Sequence, residues 1–495
     1  MIETQIMPNF LLKRFFLTPE RPAIYFSGVT YSFSEVYKRA YTIAGQLQAL
    51  ELQRGQYAGV LLRNHVDTAF ILLALQLIDV KAVILNNRLT AEELIWQMND
   101  SQSAYLLTER AFEEVSQNIT NSVPAVSAIL KEKLFESSYT DPEIAEEISL
   151  DEVCTVMYTS GTTGNPKGVL QTYGNHWWSA IGSALNLGLS ENDSWLCTVP
   201  LFHISGYSIL MRSIVYGMKI VLFESFDEKK AIDAIHSGKV TIMSVVSTML
   251  TRIADELREE KLPDFFRCML LGGGPAAKSL LEICKAKDIP VYQTYGMTET
   301  SSQIVTLAPE YSFSKLGSAG KPLFPSQLKI VAANGQNANP DEAGEIFVKG
   351  PNVTKGYLNR EEETSKRIKD GWLSTGDIGY LDTEGFLYVL DRRSDLIISG
   401  GENIYPAEIE GVLVSHPSIA DAGVIGMKDD VWGEVPVAFV AGEVLDEEEI
   451  TQYCLGKLAK YKVPKRILQI DKIPRNASKK ILRRKLRDLL EESGK

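Results

Sequence analysis

The sequence predicts an α/β fold: a large N-terminal lobe of mostly parallel βαβ sheets with helices and a small β-rich subdomain, followed by a small α+β C-terminal domain. Three observations predict it. Strand-length apolar runs alternate with helix-length amphipathic stretches from about residue 55 onward, the rhythm of βαβ units and buried parallel sheet. After about Gly317 the texture changes to short, glycine-punctuated β segments with no long helix between them. From about residue 396 strand and helix alternate again on a smaller scale, and a chain of 495 residues has room for more than one domain.

The elements follow in order. "AGVLLRN" (58–64) is a strand, "VDTAFILLALQLI" (66–78) a helix and "KAVILNN" (81–87) the next strand. The same rhythm returns in "DSWLCTVPL", "GYSILMRSIVYG", "KIVLFES", "EKKAIDAIHSG" and "VTIMSVV", between residues 193 and 246. "GEIFVKG", "GWLSTGDIGYLD" and "GFLYVLDRR" then supply the β-rich part. In "DRRSDLIISGGENIYPAEIEGVLVSHPSI" turn signals give way to an amphipathic helix. A boundary therefore falls between Asp391 and Asp395, giving a large domain 1–391, a connection 392–395 and a small domain 396–495. The final "KKILRRKLRDLLEE" reads as a solvated amphipathic helix, with Arg483, Arg484 and Lys485 on its wet face.

Composition narrows the partners. The net charge of −12 excludes a broad electrostatic attraction to nucleic acid or anionic lipid, so an anionic ligand must be captured locally. The five cysteines lie far apart, with no CxxC pair and no metal-ligand spacing. Cys154, Cys197 and Cys268 sit in apolar runs and read as core packing. The N-terminus lacks a secretory pattern. The longest apolar run, near Phe70–Ile78, is cut by Asp79 and Lys81 and is too short to span a bilayer. The expectation is a cytoplasmic protein with no membrane insertion and small-molecule partners; a homo-oligomer is left open.

"YTSGTTGNPKG" (158–168) packs hydroxyls, glycines and a lysine directly after an apolar run. Glycine at 161, 164 and 168 frees the backbone. Amides and the hydroxyls of Thr159, Ser160, Thr162 and Thr163 can then converge on phosphate oxygens, with Lys167 as counter-charge. A Walker A loop needs GK followed by Ser or Thr; here Pro166 precedes the lysine and Gly168 follows it, so this is a different phosphate loop.

Four more motifs follow in order: "YGMTET" at Tyr295–Thr300, "STGD" at Ser374–Asp377, "DRRSDLIISGGENIYPAEIE" at Asp391–Glu410 and "PRNASKKILRRKLR" at Pro474–Arg487. Together with the loop they resemble the adenylate-forming superfamily of acyl- and aryl-CoA synthetases, peptide-synthetase adenylation domains and beetle luciferases. The likeness covers nearly the whole chain. Within it, "PLFHISG", "LLGGGPA", "YGMTETSSQIVTL", "KLGSAGKPLF" and "AKYKVP" are most similar to the 2-succinylbenzoate–CoA ligases of menaquinone biosynthesis.

The resemblance implies an AMP-forming acid–thiol ligase with ATP, Mg²⁺ and coenzyme A as co-substrates and no prosthetic group. It implies that Thr159, Ser160, Gly161, Thr162, Thr163, Gly164 and Lys167 hold the outer phosphates, and that Thr298 meets the α-phosphate. Glu299 would take Mg²⁺, a hard cation suited to carboxylate and phosphate oxygens. Gly272, Gly273, Gly274 and Pro275 would receive the base, with Tyr295, Gly296 and Met297 beside it. Asp377 would accept the ribose hydroxyls, and Arg392 would make a second ribose or phosphate contact. Lys480 would be the catalytic cation, carried by a mobile small domain that turns about Ser394 between half-reactions. The usual family text is PRxxxGK; here Lys479 stands where glycine is common, while Lys480 keeps register with the following Ile481–Arg484. Gly400 and Gly401 would admit the pantetheine arm, and Trp432, Tyr461 and Lys465 would flank coenzyme A. His203, Gly206, Ser302 and Gln303 would line the acyl pocket, with His203 also near the reacting carboxylate. The alternatives are another aryl- or acyl-CoA ligase, an enzyme that loads a carrier protein in trans, a luciferase-like oxygenase, and a nucleotide-binding protein without catalysis.

Overall fold

The computed structural model describes residues 5–159, 166–273, 278–332, 334–391, 395, 397–404, 406–443, 446–474, 481 and 483–493. The chain divides into two compact units. The first comprises Met1–Asn87, Met98–Tyr158 and Gly168–Leu390; the second comprises Arg88–Gln97, Thr159–Lys167 and Asp391–Lys495.

The larger unit holds the expected βαβ sheets. A nine-stranded sheet runs Lys321–Pro322, Ser302–Leu307, Val291–Met297, Cys268–Gly272, Ile242–Val246, Ser194–Cys197, Lys219–Leu222, Pro22–Phe26, Val29–Ser32. Its central pairs are parallel, and antiparallel strands close both ends. A seven-stranded sheet runs Gly356–Tyr357, Lys167–Thr172, Val153–Thr159, Lys81–Ile84, Tyr57–Leu61, Tyr105–Thr108, Ser127–Leu130. The helix Val66–Leu77 buries every residue except Asp67. A helix apolar on all sides belongs in an interior. It packs in one core with residues of Phe33–Ala49, Tyr173–Leu187 and Ile204–Tyr216.

Residues before 55 lie outside the alternation read from the sequence, yet residues 5–54 form regular elements of this fold. Pro22–Phe26 and Val29–Ser32 form a hairpin on the nine-stranded sheet. Ser32 caps the next helix: Glu35 N–H donates to Ser32 Oγ at 3.2 Å and Ser32 N–H donates to Glu35 Oε2 at 2.7 Å.

The β-rich part is an antiparallel sheet of Gln327–Val331, Gly344–Lys349, Trp372–Leu381 and Ile368–Lys369, with Leu387–Asp391 also on Trp372–Leu381. The five cysteines are all buried and free, which extends the packing expected of three of them to Cys284 and Cys454. No helix among the described residues is long and apolar enough to cross a membrane.

The smaller unit is built on the long antiparallel pair Ile419–Asp429 and Gly433–Gly442. Arg466–Gln469 adds to it in parallel, and Ile397–Ser399 carries Glu402–Ile404. Ile409 and Leu413 of the helix Pro406–Val414 fill one core, and Leu486 of Arg483–Ser493 fills another with Phe439 and Ile473. Here one expectation is corrected. Arg483 is not on a solvated face: its side chain is 13% exposed and pairs with Glu410 at 2.5 Å and Asp395 at 3.2 Å. It also donates to the Val424 carbonyl at 3.0 Å. A guanidinium with partners on three segments loses little by leaving water.

Candidate active site

The "YGMTET" motif sits at the tip of a hairpin. Val291–Met297 pairs antiparallel with Ser302–Leu307, and a register shift falls at Tyr295–Gly296. Gly296 is required there, because a Cβ would lie 2.2 Å from the Ser302 carbonyl oxygen. Thr298–Thr300 form a single 3₁₀ turn, followed by Ser301 at φ 51° and Ser302 at φ 102°. Such conformations cost roughly 1–3 kcal/mol each in side-chain-bearing residues and persist where surroundings over-determine them.

Every carbonyl from Thr298 to Ser302 has a donor, four of them reached from outside the turn. Gln171 Nε2 donates to the Thr298 carbonyl at 2.9 Å and Thr354 N–H to that of Glu299 at 2.7 Å. Asn352 Nδ2 donates to Thr300 at 3.0 Å, Ser179 Oγ to Ser301 at 2.6 Å, and Thr300 Oγ1 to Ser302 at 2.7 Å. Gln171, Asn352 and Ser179 are buried, so these bonds are shielded from water. The turn is preorganised, and the Glu299 carboxylate is held as well: Tyr357 Oη donates to its Oε1 at 3.1 Å.

That donor set fits Mg²⁺ of one kind. Among the described residues no group of three His, Cys, Asp or Glu forms an all-protein cage. A single carboxylate suits a magnesium ion that arrives with nucleotide phosphates and keeps several waters.

Tyr295 and Asp377 are also brought together. Both are buried, and Tyr295 Oη donates to Asp377 Oδ2 at 2.6 Å. Asp377 N–H donates to Thr375 Oγ1 at 3.0 Å, which orients the "STGD" turn. Gly272 ends the strand Cys268–Gly272 and Gly273 follows at φ 86°. Ser160, Gly161, Thr162, Thr163, Gly164, Gly274, Pro275, Arg392, Ser394 and Lys480 lie outside the described residues.

Of the four acyl-pocket residues, Ser302 is joined to a group the sequence reading missed. Arg212, on the helix Ile204–Tyr216, is 1% exposed. Its guanidinium lies 4.9 Å from the Trp195 ring centroid and donates to Ser302 Oγ at 3.3 Å. Its Nε finds no hydrogen-bond acceptor among the described residues, and the groups that act on its charge are Tyr216 and Cys268, not a carboxylate. Burial holds its pKa below the ordinary value. A buried cation without an anion is costly, which makes Arg212 a candidate receiver of an anion. The signal was legible as the one charge inside "ISGYSILMRSIVY". Gln303, next to Ser302 in sequence, is buried, and its Oε1 has no donor among the described residues. His203 precedes the same helix, its ring 4.7 Å from that of Phe202. Gly206 has a packing reason: a Cβ there would meet the Pro200 carbonyl oxygen at 2.1 Å.

In the smaller unit, Gly400 and Trp432 meet. Gly400 has φ 57° and its N–H donates to the Trp432 carbonyl at 2.8 Å. A Cβ at Gly400 would lie 2.8 Å from the indole. Gly401 follows at φ 85°. Trp432 is half exposed, Tyr461 packs on the apolar core, and Lys465 is exposed.

Beside Tyr461, Lys462 is buried between two carboxylates, Glu93 Oε1 at 2.6 Å and Glu408 Oε1 at 2.7 Å. Arg88 pairs with Glu402, and Lys457 with Glu92 at 3.6 Å, in the same unit. Burial penalises both carboxylates at Lys462. For Glu93 the lysine outweighs burial and its pKa is lowered, whereas Glu408 is pushed up to about 7. A carboxyl raised above its ordinary 4.5 holds its proton more tightly in the folded chain. It therefore stabilises the fold at low pH and loses that contribution as pH rises from about 4.5 to about 7. Glu408→Gln removes this term, so its melting temperature relative to wild type should climb across that window. A pH-independent difference in melting temperature would contradict the assignment.

Comparison with known proteins adds the following. A model described as AMP-binding enzyme matches residues 14–358, and one described as AMP-binding enzyme C-terminal domain matches 408–480. A 2-succinylbenzoate–CoA ligase of Geobacillus sp. (strain WCH70) is 54% identical over 487 residues, 98% of each chain. An o-succinylbenzoate CoA synthetase double mutant from Bacillus subtilis, bound with its product analogue OSB-NCoA, is similar at TM-score 0.93 and 49% identity over 98% of both chains. The same synthetase with ATP and magnesium ion, and with the acyl-adenylate intermediate OSB-AMP, is similar at TM-score 0.77 and 49% identity. These cover 98% of this chain and 100% and 99% of those chains, respectively.

Proposed function

Since the chain belongs to the AMP-binding enzyme family, we propose that it is the ATP- and Mg²⁺-dependent acid–thiol ligase that converts 2-succinylbenzoate to 2-succinylbenzoyl-CoA, with AMP and pyrophosphate as co-products, in menaquinone biosynthesis. The observation that carries the choice of acid is Arg212, a buried guanidinium with an unused N–H at the wall residue Ser302. A dicarboxylic acid leaves one carboxylate unreacted, and that group needs a buried counter-charge. A fatty or simple aryl acid does not.

A substrate carboxylate oxygen attacks the α-phosphorus of ATP, the α–β phosphoanhydride bond breaks, and pyrophosphate leaves. The thiolate of coenzyme A then attacks the acyl carbon, the C–O bond to AMP breaks, and thioester and AMP result. The first step needs positioning and charge stabilisation more than covalent help. Thr298 is fixed for the α-phosphate by the clamped hairpin tip, and Asp377 for the ribose by Tyr295. Glu299 would hold magnesium together with the nucleotide phosphates, and the ion would supply charge neutralisation for the pyrophosphate leaving group. Lys480 supplies a cation at the α-phosphate, and Ser394 is the proposed hinge of the small domain. Gly400, Gly401, Trp432, Tyr461 and Lys465 form the proposed coenzyme A side. Five free buried cysteines support a reducing, cytoplasmic setting.

The test is product analysis with ATP, Mg²⁺, coenzyme A and a panel of acids. AMP, pyrophosphate and a thioester with 2-succinylbenzoate, and little turnover of benzoate or fatty acids, are expected. Thioester formed from fatty acids in preference would remove the substrate assignment, and ADP as product would remove the reaction class.

A further inference from the structure

The segment Asn352–Arg360, "NVTKGYLNR", has no part in the site as read from the sequence, yet it touches three components of that site. Its two-residue strand Gly356–Tyr357 pairs antiparallel with the strand that leaves the phosphate loop, Tyr357 opposite Val169 and Gly356 opposite Leu170. Leu358 N–H donates to the Gly168 carbonyl at 2.8 Å, directly after Lys167. On the other side of the loop, Tyr158 Oη donates to Asp100 Oδ2 at 2.9 Å. Asp100 is gripped in turn by Arg360 at 2.6 Å, and its carbonyl accepts from Asn359 Nδ2 at 2.8 Å. Finally, Thr354 N–H holds the Glu299 carbonyl, and Tyr357 Oη holds the Glu299 carboxylate. Gly356, at φ 142°, lets this strand pass Thr364: a Cβ would lie 2.5 Å from Thr364 Cγ2.

We propose that Tyr357 is a positioning residue: its phenol fixes the carboxylate of Glu299, and its strand holds that carboxylate in register with the residues flanking the phosphate loop. The inference rests on the reading of Glu299 as the carboxylate that receives the nucleotide's magnesium. Two flexible partners, a carboxylate and a triphosphate, must meet one ion with near-octahedral demands. Fixing the carboxylate beforehand spares the ordering cost when metal and nucleotide arrive. Tyr357 is 8% exposed, so its ring is set by packing and the hydroxyl points from a fixed base.

The experiment uses the full chain with α,β-methylene-ATP and Mn²⁺, whose free concentration is read by electron paramagnetic resonance. Tyr357→Phe keeps the ring and loses the one hydroxyl. It should weaken Mn²⁺ binding in the ternary complex about 5- to 10-fold, in line with one lost hydrogen bond to a charged group. The Mg²⁺ concentration for half-maximal adenylation should rise in parallel, while preformed acyl-adenylate still reacts with coenzyme A at the wild-type rate. Glu299→Gln is measured alongside. If Glu299→Gln weakens Mn²⁺ binding and Tyr357→Phe does not, the positioning inference is wrong and the metal reading stands. If neither variant changes Mn²⁺ binding, the metal reading fails and takes the inference with it.

Discussion

Lys480→Ala should slow acyl-adenylate formation by about 10²- to 10³-fold, the usual penalty for removing one preorganised charge from a transition state. Preformed acyl-adenylate should still react with coenzyme A at close to the wild-type rate. The split follows from the chemistry of the two steps. Negative charge develops around the α-phosphorus only while the acid attacks it; in the second step the reacting centre is the acyl carbon. A lysine is suited to the first task, being a compact cation on a long stem. Lys479→Ala is the matched control, because it removes the adjacent lysine of the same segment. It should leave adenylation within a few-fold of wild type. Single-turnover measurement of each half-reaction checks both variants, and equal loss in both steps for Lys480→Ala would mean that the lysine has another role.

Arg212→Ala should lower kcat/KM for 2-succinylbenzoate by about 10²- to 10³-fold, within the 2–5 kcal/mol range for truncating one partner of a buried charge pair. The loss has a definite origin. With the guanidinium gone, the unreacted carboxylate of the substrate enters an interior lined by Trp195 and Ser302 without a counter-charge. The same variant should turn over a mono-acid analogue that lacks that carboxylate as well as wild type does, or better, since wild type leaves its cation unpaired with such a substrate. Arg212→Lys should recover little, because a point charge cannot reproduce a planar fork packed on an indole. A fall of equal size for both substrates would place Arg212 in the scaffold instead of the pocket.

How far the site was legible depends on where its partners lie in the chain. The candidate hairpin tip was reachable from the sequence only through the resemblance, whose motif "YGMTET" and the following "SSQ" are consecutive from Tyr295 to Gln303. Asp377 was legible from "STGD" for the same reason. The donors that fix the tip were not: Gln171 and Thr298 are separated by 127 positions, Asn352 and Thr300 by 52. No local pattern marks a glutamine as the holder of a distant carbonyl. Arg483 was misread because a basic residue opening an amphipathic helix looks solvated, and its partner Glu410 lies 73 positions away. Glu93 and Lys462 pair across 369 positions, again without a local sign. Arg212 is the instructive miss. An arginine amid apolar residues on a helix of this length was visible from the outset, and burial turned it from an oddity into a candidate anion subsite. The alternating segments of the large unit were legible from periodicity alone. The hairpin before residue 55 was not, since one short antiparallel pair carries no βαβ rhythm.

The central claim is that a carboxylate oxygen of the substrate becomes bonded to the α-phosphorus and stays there when the thiol displaces AMP. The measurement that reaches it most directly follows ¹⁸O from 2-succinylbenzoate labelled in its carboxylates, turned over with ATP, Mg²⁺ and coenzyme A, with the nucleotide product examined by mass spectrometry. The account predicts one ¹⁸O in the phosphate of AMP and none in pyrophosphate. Label in inorganic phosphate or pyrophosphate, or unlabelled AMP beside full thioester yield, would contradict it.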